Sequence, residues 1–213
     1  METIRGKKSL ELDWNNFTGR LANYSRIILD LGTGDGRYVR ALAEQHPDWF
    51  VIGVDSCREN MRKYSQAKLH NMLFVISSAQ ELPCELNGLI SHVSINFPWG
   101  SLLKSLLAGD PELICGLEAV SRSTASLDLH LNGGALTKAG TTLEAGAERI
   151  YKNLLQAGWQ VKTPVLMDAS ALRNFPSTWA KRLAFGRDPR AISISGSIAN
   201  DPQDLEHVVA LYV

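Results

Sequence analysis

Two groups of residues in this sequence have types and spacing that could do chemistry. The first is Asp30-Leu31-Gly32-Thr33-Gly34-Asp35-Gly36, followed by Asp55-Ser56 at the end of the next apolar run. Glycines between a strand and a helix let the backbone turn tightly and approach a ligand without a Cβ clash. A carboxylate at the end of the following strand can accept hydrogen bonds from both hydroxyls of a ribose. The third glycine of a dinucleotide fingerprint would fall where Arg37 stands, which argues against an NAD site. No Gly-Lys-Ser/Thr follows, so the loop is not a nucleotide P-loop. A tight βα turn, with Asp55 capping the next helix, would use the same residues without a ligand.

The second group is aromatic and basic. Asn96-Phe97-Pro98-Trp99 follows a predicted strand, where an open α/β sheet places its reactive crevice. Ser177-Thr178-Trp179-Ala180-Lys181-Arg182-Leu183-Ala184-Phe185-Gly186-Arg187 joins a tryptophan to three cations. From Ala171 to Arg190 there are five basic residues, Arg190 included, against the one acid Asp188. That reads as a phosphate-binding rim beside an aromatic platform. Stacking a base on such a ring contributes about 1–3 kcal/mol. In Ser78-Ala79-Gln80-Glu81-Leu82-Pro83, Ala79 and Gln80 could give a small wall and an amide contact to a planar ring. The five histidines are scattered, with no metal-ligand spacing, and no Gly-x-Ser-x-Gly elbow occurs.

The elements that must position these residues alternate as in an α/β domain with a largely parallel sheet. Strands are predicted at Arg26–Leu31, Phe50–Asp55, Leu73–Ile76, Ser91–Ile95 and Ser126–Leu131, with late strands at Trp159–Val165 and Ala191–Ile198. Helices are predicted at Tyr38–Gln45, Glu59–Lys68, Ser101–Leu107, Pro111–Val120 and Ala147–Gln156, with a short one inside Phe175–Arg187. Asn132–Gly146, rich in Gly, Thr and Ala, reads as a mobile loop, and Ile4–Leu12 as a small hairpin around Gly6.

The 213 residues are 45% hydrophobic and 21% charged, which excludes a disordered or fibrous chain. No apolar run approaches a membrane span, and no secretory h-region opens the chain. Three widely spaced cysteines argue against a disulfide framework and for a reducing cytosol. Lys plus Arg and Asp plus Glu both number 22, so nucleic acid would have to be bound by a local basic patch rather than by bulk charge.

DLGTGDGR, SSAQELP, INFPWGSLL and STWAKRLAFGR together resemble the aminoglycoside-resistance ribosomal RNA methyltransferases of the KamB/NpmA type, in order from Ile27 to Arg187. The resemblance implies one class I, Rossmann-like α/β domain over 1–213, with a mostly parallel seven-stranded sheet, helices on both faces and an N-terminal hairpin over about 1–13. It implies methyl transfer from S-adenosylmethionine to N1 of adenine 1408 in 16S rRNA of the 30S subunit, by a cytoplasmic monomer without a metal. By position, Asp30, Gly32, Thr33, Gly34, Asp55 and Ser56 would bind the cofactor, with Ala79 and Gln80 at its adenine and Asn96 nearby. Trp99 and Trp179 would sandwich the flipped base, with Ser177 and Ser101 at the cofactor–base junction. Lys181, Arg182, Arg187 and Arg190 would grip RNA. Family members carry an aliphatic residue where Asn96 stands. Asn96-Phe97-Pro98-Trp99 leans toward the Asn-Pro-Pro-aromatic motif of exocyclic-amine methyltransferases. Another RNA, a small aromatic amine, or an inactive cofactor-binding homologue therefore remain alternative readings.

Overall fold

The computed structural model describes residues 1–186 and 189–198. Glu2–Arg5 (β1) and Lys8–Glu11 (β2) form a hairpin, and the helix Trp14–Leu21 (α1) follows. The chain then alternates through Arg26–Leu31 (β3), Arg37–Gln45 (α2), Trp49–Asp55 (β4), the single turn Arg58–Met61 (α3), Met72–Ile76 (β5) and Ile90–Asn96 (β6). Gly100–Ala108 (α4), Pro111–Val120 (α5), Ser121–Asn132 (β7), Gly133–Lys138 (α6) and Leu143–Gln156 (α7) come next. The last described part is Gln160–Val161 (β8), Val165–Met167 (β9), Ala169–Asn174 (α8), Thr178–Ala184 (α9) and Ala191–Ser197 (β10).

All these strands join one sheet in the order β2-β1-β5-β4-β3-β6-β7-β10-β8, with β9 also on β10. The middle five, β5-β4-β3-β6-β7, are parallel. The chain moves outward from β3 to β4 and β5, then returns to lay β6 on the other side of β3. That reversal opens a crevice at the carboxyl ends of β3, β4 and β6. The central runs are apolar on both faces because helices cover both. One face packs Leu29, Ile52, Val93 and Leu129 against α1, α4, α5 and α7. The other packs Ile28, Val51 and Phe74 against Val39 and Ala43 of α2 and Met61 of α3.

The parallel core with helices on both faces matches the expectation, but the sheet is wider than seven strands. The hairpin adds to β5 antiparallel, and β8 and β9 add short pieces to β10. Three local expectations fail for identifiable reasons. Asn132–Gly146 is not a loop: Asn132 Oδ1 accepts from the Ala135 N–H at 2.8 Å and starts α6, and Thr142 Oγ1 accepts from the Ala145 N–H at 3.1 Å and starts α7. Buried Leu136 and Leu143 anchor both helices. The helix expected over Glu59–Lys68 is broken into α3 and a 3-10 turn at Tyr64–Gln66. There the Ser65 hydroxyl donates back to the Arg62 carbonyl and accepts from the Gly6 N–H of the hairpin. The strand expected over Trp159–Val165 is interrupted at Pro164, which has no N–H for a ladder.

Gly36 shows why the turn after β3 needs glycine. Its φ is +77°, and a Cβ there would lie 2.4 Å from a ring carbon of the buried Phe74. Gly36→Ala is expected to cost about 1–3 kcal/mol of stability through strain and overpacking. The check is a lower urea midpoint at unchanged m-value; a wild-type midpoint would contradict this packing.

Candidate functional site

The crevice holds a cavity of about 280 Å³ between the glycine loop, the ends of β3, β4 and β6, the start of α4, and α9. Asp30 closes its floor, with 1% of its surface exposed. Asp30 Oδ1 accepts from Ser94 Oγ at 3.1 Å and from Asn96 Nδ2 at 2.9 Å, both on β6. Burial pushes the Asp30 carboxyl up to about 6, against the pull of the Thr33 hydroxyl first, then of Asn96 and Ser94. The Gly32 and Thr33 N–H groups both donate to the Val54 carbonyl, which ties the loop to β4. Asp55 accepts from the Gly34 N–H and from the Cys57 N–H, each at 2.8 Å. Burial raises the Asp55 carboxyl above its ordinary value, opposed by these two N–H groups. Each Asp55 oxygen keeps a further lone pair for a ligand. The Thr33 hydroxyl is buried beside Asp30 and helps to lower its carboxyl. Ser56 and Ala79 line the same cavity.

The other wall is aromatic. Phe97 has φ +55°, a conformation rare for a bulky residue, and its N–H donates to the His130 carbonyl at 2.8 Å. This left-handed step ends β6 and aims Pro98 and Trp99 at the cavity. Trp99 and Trp179 lie with ring centroids 5.4 Å apart and planes 32° off parallel. A ring stacked between two others needs roughly 7 Å, twice the 3.4 Å base spacing. In this conformation the two indoles touch each other and the slot is shut. Trp179 is 40% exposed, and the Trp99 Nε1–H is buried without a partner. Lys138 Nζ stands 5.9 Å from the Trp99 ring and Arg182 Cζ 5.2 Å from the Trp179 ring.

Most expected site residues meet here: Asp30, Gly32, Thr33, Gly34, Asp55, Ser56, Ala79, Asn96, Trp99, Ser101, Ser177 and Trp179 all line the cavity. Gln80 is not among the lining residues; its amide donates to Ser105 Oγ at 2.7 Å. Ser177 is also the cap of α9, its Oγ accepting from the Ala180 N–H. Lys181 and Arg182 are exposed on α9, and Arg190 reaches Glu144 at 3.4 Å. Arg187 lies outside the described residues.

Several residues escaped the sequence reading. Thr178 Oγ1 donates to Asp35 Oδ2 at 2.7 Å and pins the tryptophan helix to the glycine loop. Tyr38 lines the cavity and stacks flat on Phe175. Lys138 sits in the stretch expected to be a loop. The alternation of His92, Ser94 and Asn96 on β6 with Asp128 and His130 on β7 was the available signal for a polar row behind Asp30. Beside the cavity, Arg37 and Arg40 of α2 join Arg173 and Lys181 around a groove of about 440 Å³. Arg40 is paired with Glu44 at 2.7 Å. Among the described residues, Arg37, Arg173 and Lys181 make no ion pair.

A parallel sheet with this reversal, a glycine loop and paired acids is the arrangement of a class I methyltransferase. A family model described as NpmA, 16S rRNA (adenine(1408)-N(1))-methyltransferase, matches residues 2–198. A 16S rRNA (adenine(1408)-N(1))-methyltransferase of Escherichia coli is 30% identical over 93% of this chain and 99% of that protein. The crystal structure of the 16S rRNA methyltransferase KamB superposes with a TM-score of 0.84 at 28% identity, over 94% of this chain and all of that one. A tryptophan-to-alanine mutant of the 16S rRNA (adenine(1408)-N(1))-methyltransferase from Catenulisporales acidiphilia, solved with the cosubstrate S-adenosylmethionine, superposes with a TM-score of 0.82 at 25% identity, over 94% and 97% of the two chains. The chain belongs to the 16S rRNA (adenine(1408)-N(1))-methyltransferase family and is an S-adenosylmethionine-dependent enzyme. Among the described residues no helix is long and apolar enough to cross a membrane.

Thr178→Val removes the bond that holds α9 to the glycine loop. Amide exchange across Thr178–Ala184 is expected to speed up by about fivefold, the worth of one hydrogen bond, while β3 and β6 keep their protection. Unchanged exchange in α9 would show that the Asp35 contact does not hold the helix.

Proposed function

We propose that this chain methylates N1 of adenine 1408 in 16S rRNA of the 30S subunit and thereby confers resistance to aminoglycosides. The observation that carries the reading is one cavity lined at one end by Asp30, the glycine loop and Asp55, and at the other by Trp99 and Trp179. S-adenosylmethionine, when bound, supplies a methyl group already activated as a sulfonium. The residues suit such a group: two carboxylates at adjacent strand ends, both lining the cavity beside the glycine loop. Asp30, Gly32, Thr33 and Gly34 would hold it, Asp55 and Ser56 would take its ribose, and Ala79 would wall its adenine. Ser101 and Ser177 flank the junction with the target.

Unpaired adenine N1 carries its own lone pair, so alignment replaces a general base. The two tryptophan faces favour the positive charge that develops on the base. Opening the shut indole pair around a flipped adenine is the step that Trp99 and Trp179 would make. Exocyclic-amine chemistry draws no support from Asn96, because both polar atoms of its amide are engaged, one with Asp30 and one with His130. Lys181, Arg182 and the groove cations Arg37 and Arg173 would meet RNA phosphates, a local charge excess in a chain of zero net charge. On this reading the chain is a single catalytic domain acting as a monomer. Ribosomal RNA as substrate supports a cytoplasmic location.

The direct test is incubation with labelled S-adenosylmethionine and purified 30S subunits, followed by primer extension. A stop at adenine 1408 is expected; no incorporation, with cofactor binding intact, would overturn the reading. Trp179→Ala should lower turnover by at least about a hundredfold, from loss of stacking worth about 1–3 kcal/mol and of alignment, with S-adenosylmethionine affinity unchanged by calorimetry. Arg173→Glu should weaken 30S binding and make its log–log salt slope shallower by about 1; a wild-type slope would remove the groove from the RNA face.

A further inference from the structure

Behind Asp30 lies a chain of polar side chains that no step above uses. Asn96 Nδ2 donates to Asp30 Oδ1 at 2.9 Å, and His130 Nδ1 stands 2.8 Å from Asn96 Oδ1. Asn96 and His130 are direct partners on the parallel strands β6 and β7. A carboxylate only accepts, so the amide must turn its nitrogen toward Asp30. The amide oxygen then faces the histidine and needs a donor, which makes His130 the Nδ1–H tautomer. Phe175 packs edge-on against the imidazole at 4.8 Å. Burial, and next the nearby His92, push His130 down to about 4, so the ring is neutral at working pH. Both Asn96 and Ser94 donate to Asp30 Oδ1, and the Thr33 hydroxyl also lowers this carboxyl.

We infer that Asn96 and His130 are positioning residues for the cofactor: they hold Asp30 ionised and oriented toward the ligand. This rests on the reading of Asp30 as a cofactor-binding residue. The other groups facing Asp30 are Thr33 of the glycine loop, Asp55 at the end of β4, Ser94 of β6, Asp128 of β7 and Tyr38 of α2. Burial keeps the Tyr38 phenol protonated, well above its ordinary range, and burial raises the Asp128 carboxyl while Lys162 lowers it.

The sign follows from which form binds. Ionised Asp30 accepts from the ligand, and a proton on it competes, so affinity falls as pH drops through about 6. Removing the Asn96 donor leaves burial less opposed, so the same fall should occur at higher pH.

The test is calorimetric titration with S-adenosylmethionine between about pH 5 and pH 8 for wild type, Asn96→Leu, His130→Phe, His130→Gln and Asp30→Asn. The ligand's own titration is common to all and cancels in the comparison. Asn96→Leu should move the midpoint of the affinity loss up by about one unit, so that it binds roughly tenfold more weakly than wild type near pH 6 and within about threefold at pH 8. His130→Phe should shift the midpoint the same way by less, and His130→Gln, which keeps an amide donor, should restore it. A uniform loss at every pH, or an unmoved midpoint in both Asn96→Leu and His130→Phe, would overturn the inference. Should Asn96→Leu not fold, the two His130 variants decide it alone. Wild-type affinity in Asp30→Asn would instead remove Asp30 from the cofactor site, and the two failures are thus distinguishable.

Discussion

Asp30 is a carboxylate at the end of the central strand with almost no access to water, and much of the structure answers to that constraint. A buried charge is tolerable only where hydrogen-bond donors surround it. β6 is the neighbour of β3 and pairs Asp30 with Ser94, so donors on β6 lie within reach beside the Thr33 hydroxyl of the loop. Ser94 and Asn96 supply them. Asn96 then brings a requirement of its own, an acceptor oxygen in need of a donor, and His130 of β7 meets it. Three strands thus turn polar at one level, while their opposite faces stay in the apolar core with Leu29, Val93, Ile95 and Leu129.

The same loop that follows Asp30 also holds the aromatic end of the cavity. Asp35 accepts from the Arg37 N–H with one oxygen and from the Thr178 hydroxyl with the other. One side chain therefore links the start of α2 to the helix that carries Trp179. The left-handed Phe97 does the equivalent for Trp99, since its unusual backbone bends the chain out of β6 and into the crevice. A rare backbone conformation in a bulky residue is held only where its surroundings over-determine it. Here they do so through the His130 carbonyl and the edge contact with Phe175. The glycine-loop end and the tryptophan end of the cavity are therefore joined by a few short connections.

Much of this was legible in the sequence, and the parts that were not have a common cause. The glycine loop between β3 and α2, Asp55 at the end of β4 and the two tryptophan motifs stand in the chain with their chemistry visible. Short apolar runs bounded by turns locate the central strands, and Pro111 behind Asp110 marks the start of α5. Composition misled where caps decide: Gly, Thr and Ala over 132–146 look like a loop, yet Asn132 and Thr142 nucleate helices whose leucines enter the core. The partner of Gln80, Ser105 of α4, lies 25 residues away and has no signal in the local sequence.

By itself the sequence determined the parallel α/β class, the order of the central elements, and most of the residues that meet in the cavity. These follow from local rules: apolar periodicity, glycine at turns, and acids at strand ends. Only the tertiary structure decided that β6 lies beside β3, that the Asn96 amide donates to Asp30, that Asp35 holds Thr178, and that Arg37 and Arg40 share a groove with Arg173 and Lys181. Those pairings join residues far apart in the chain. They exist because the sheet order brings their side chains within bonding distance, and no local pattern encodes that distance.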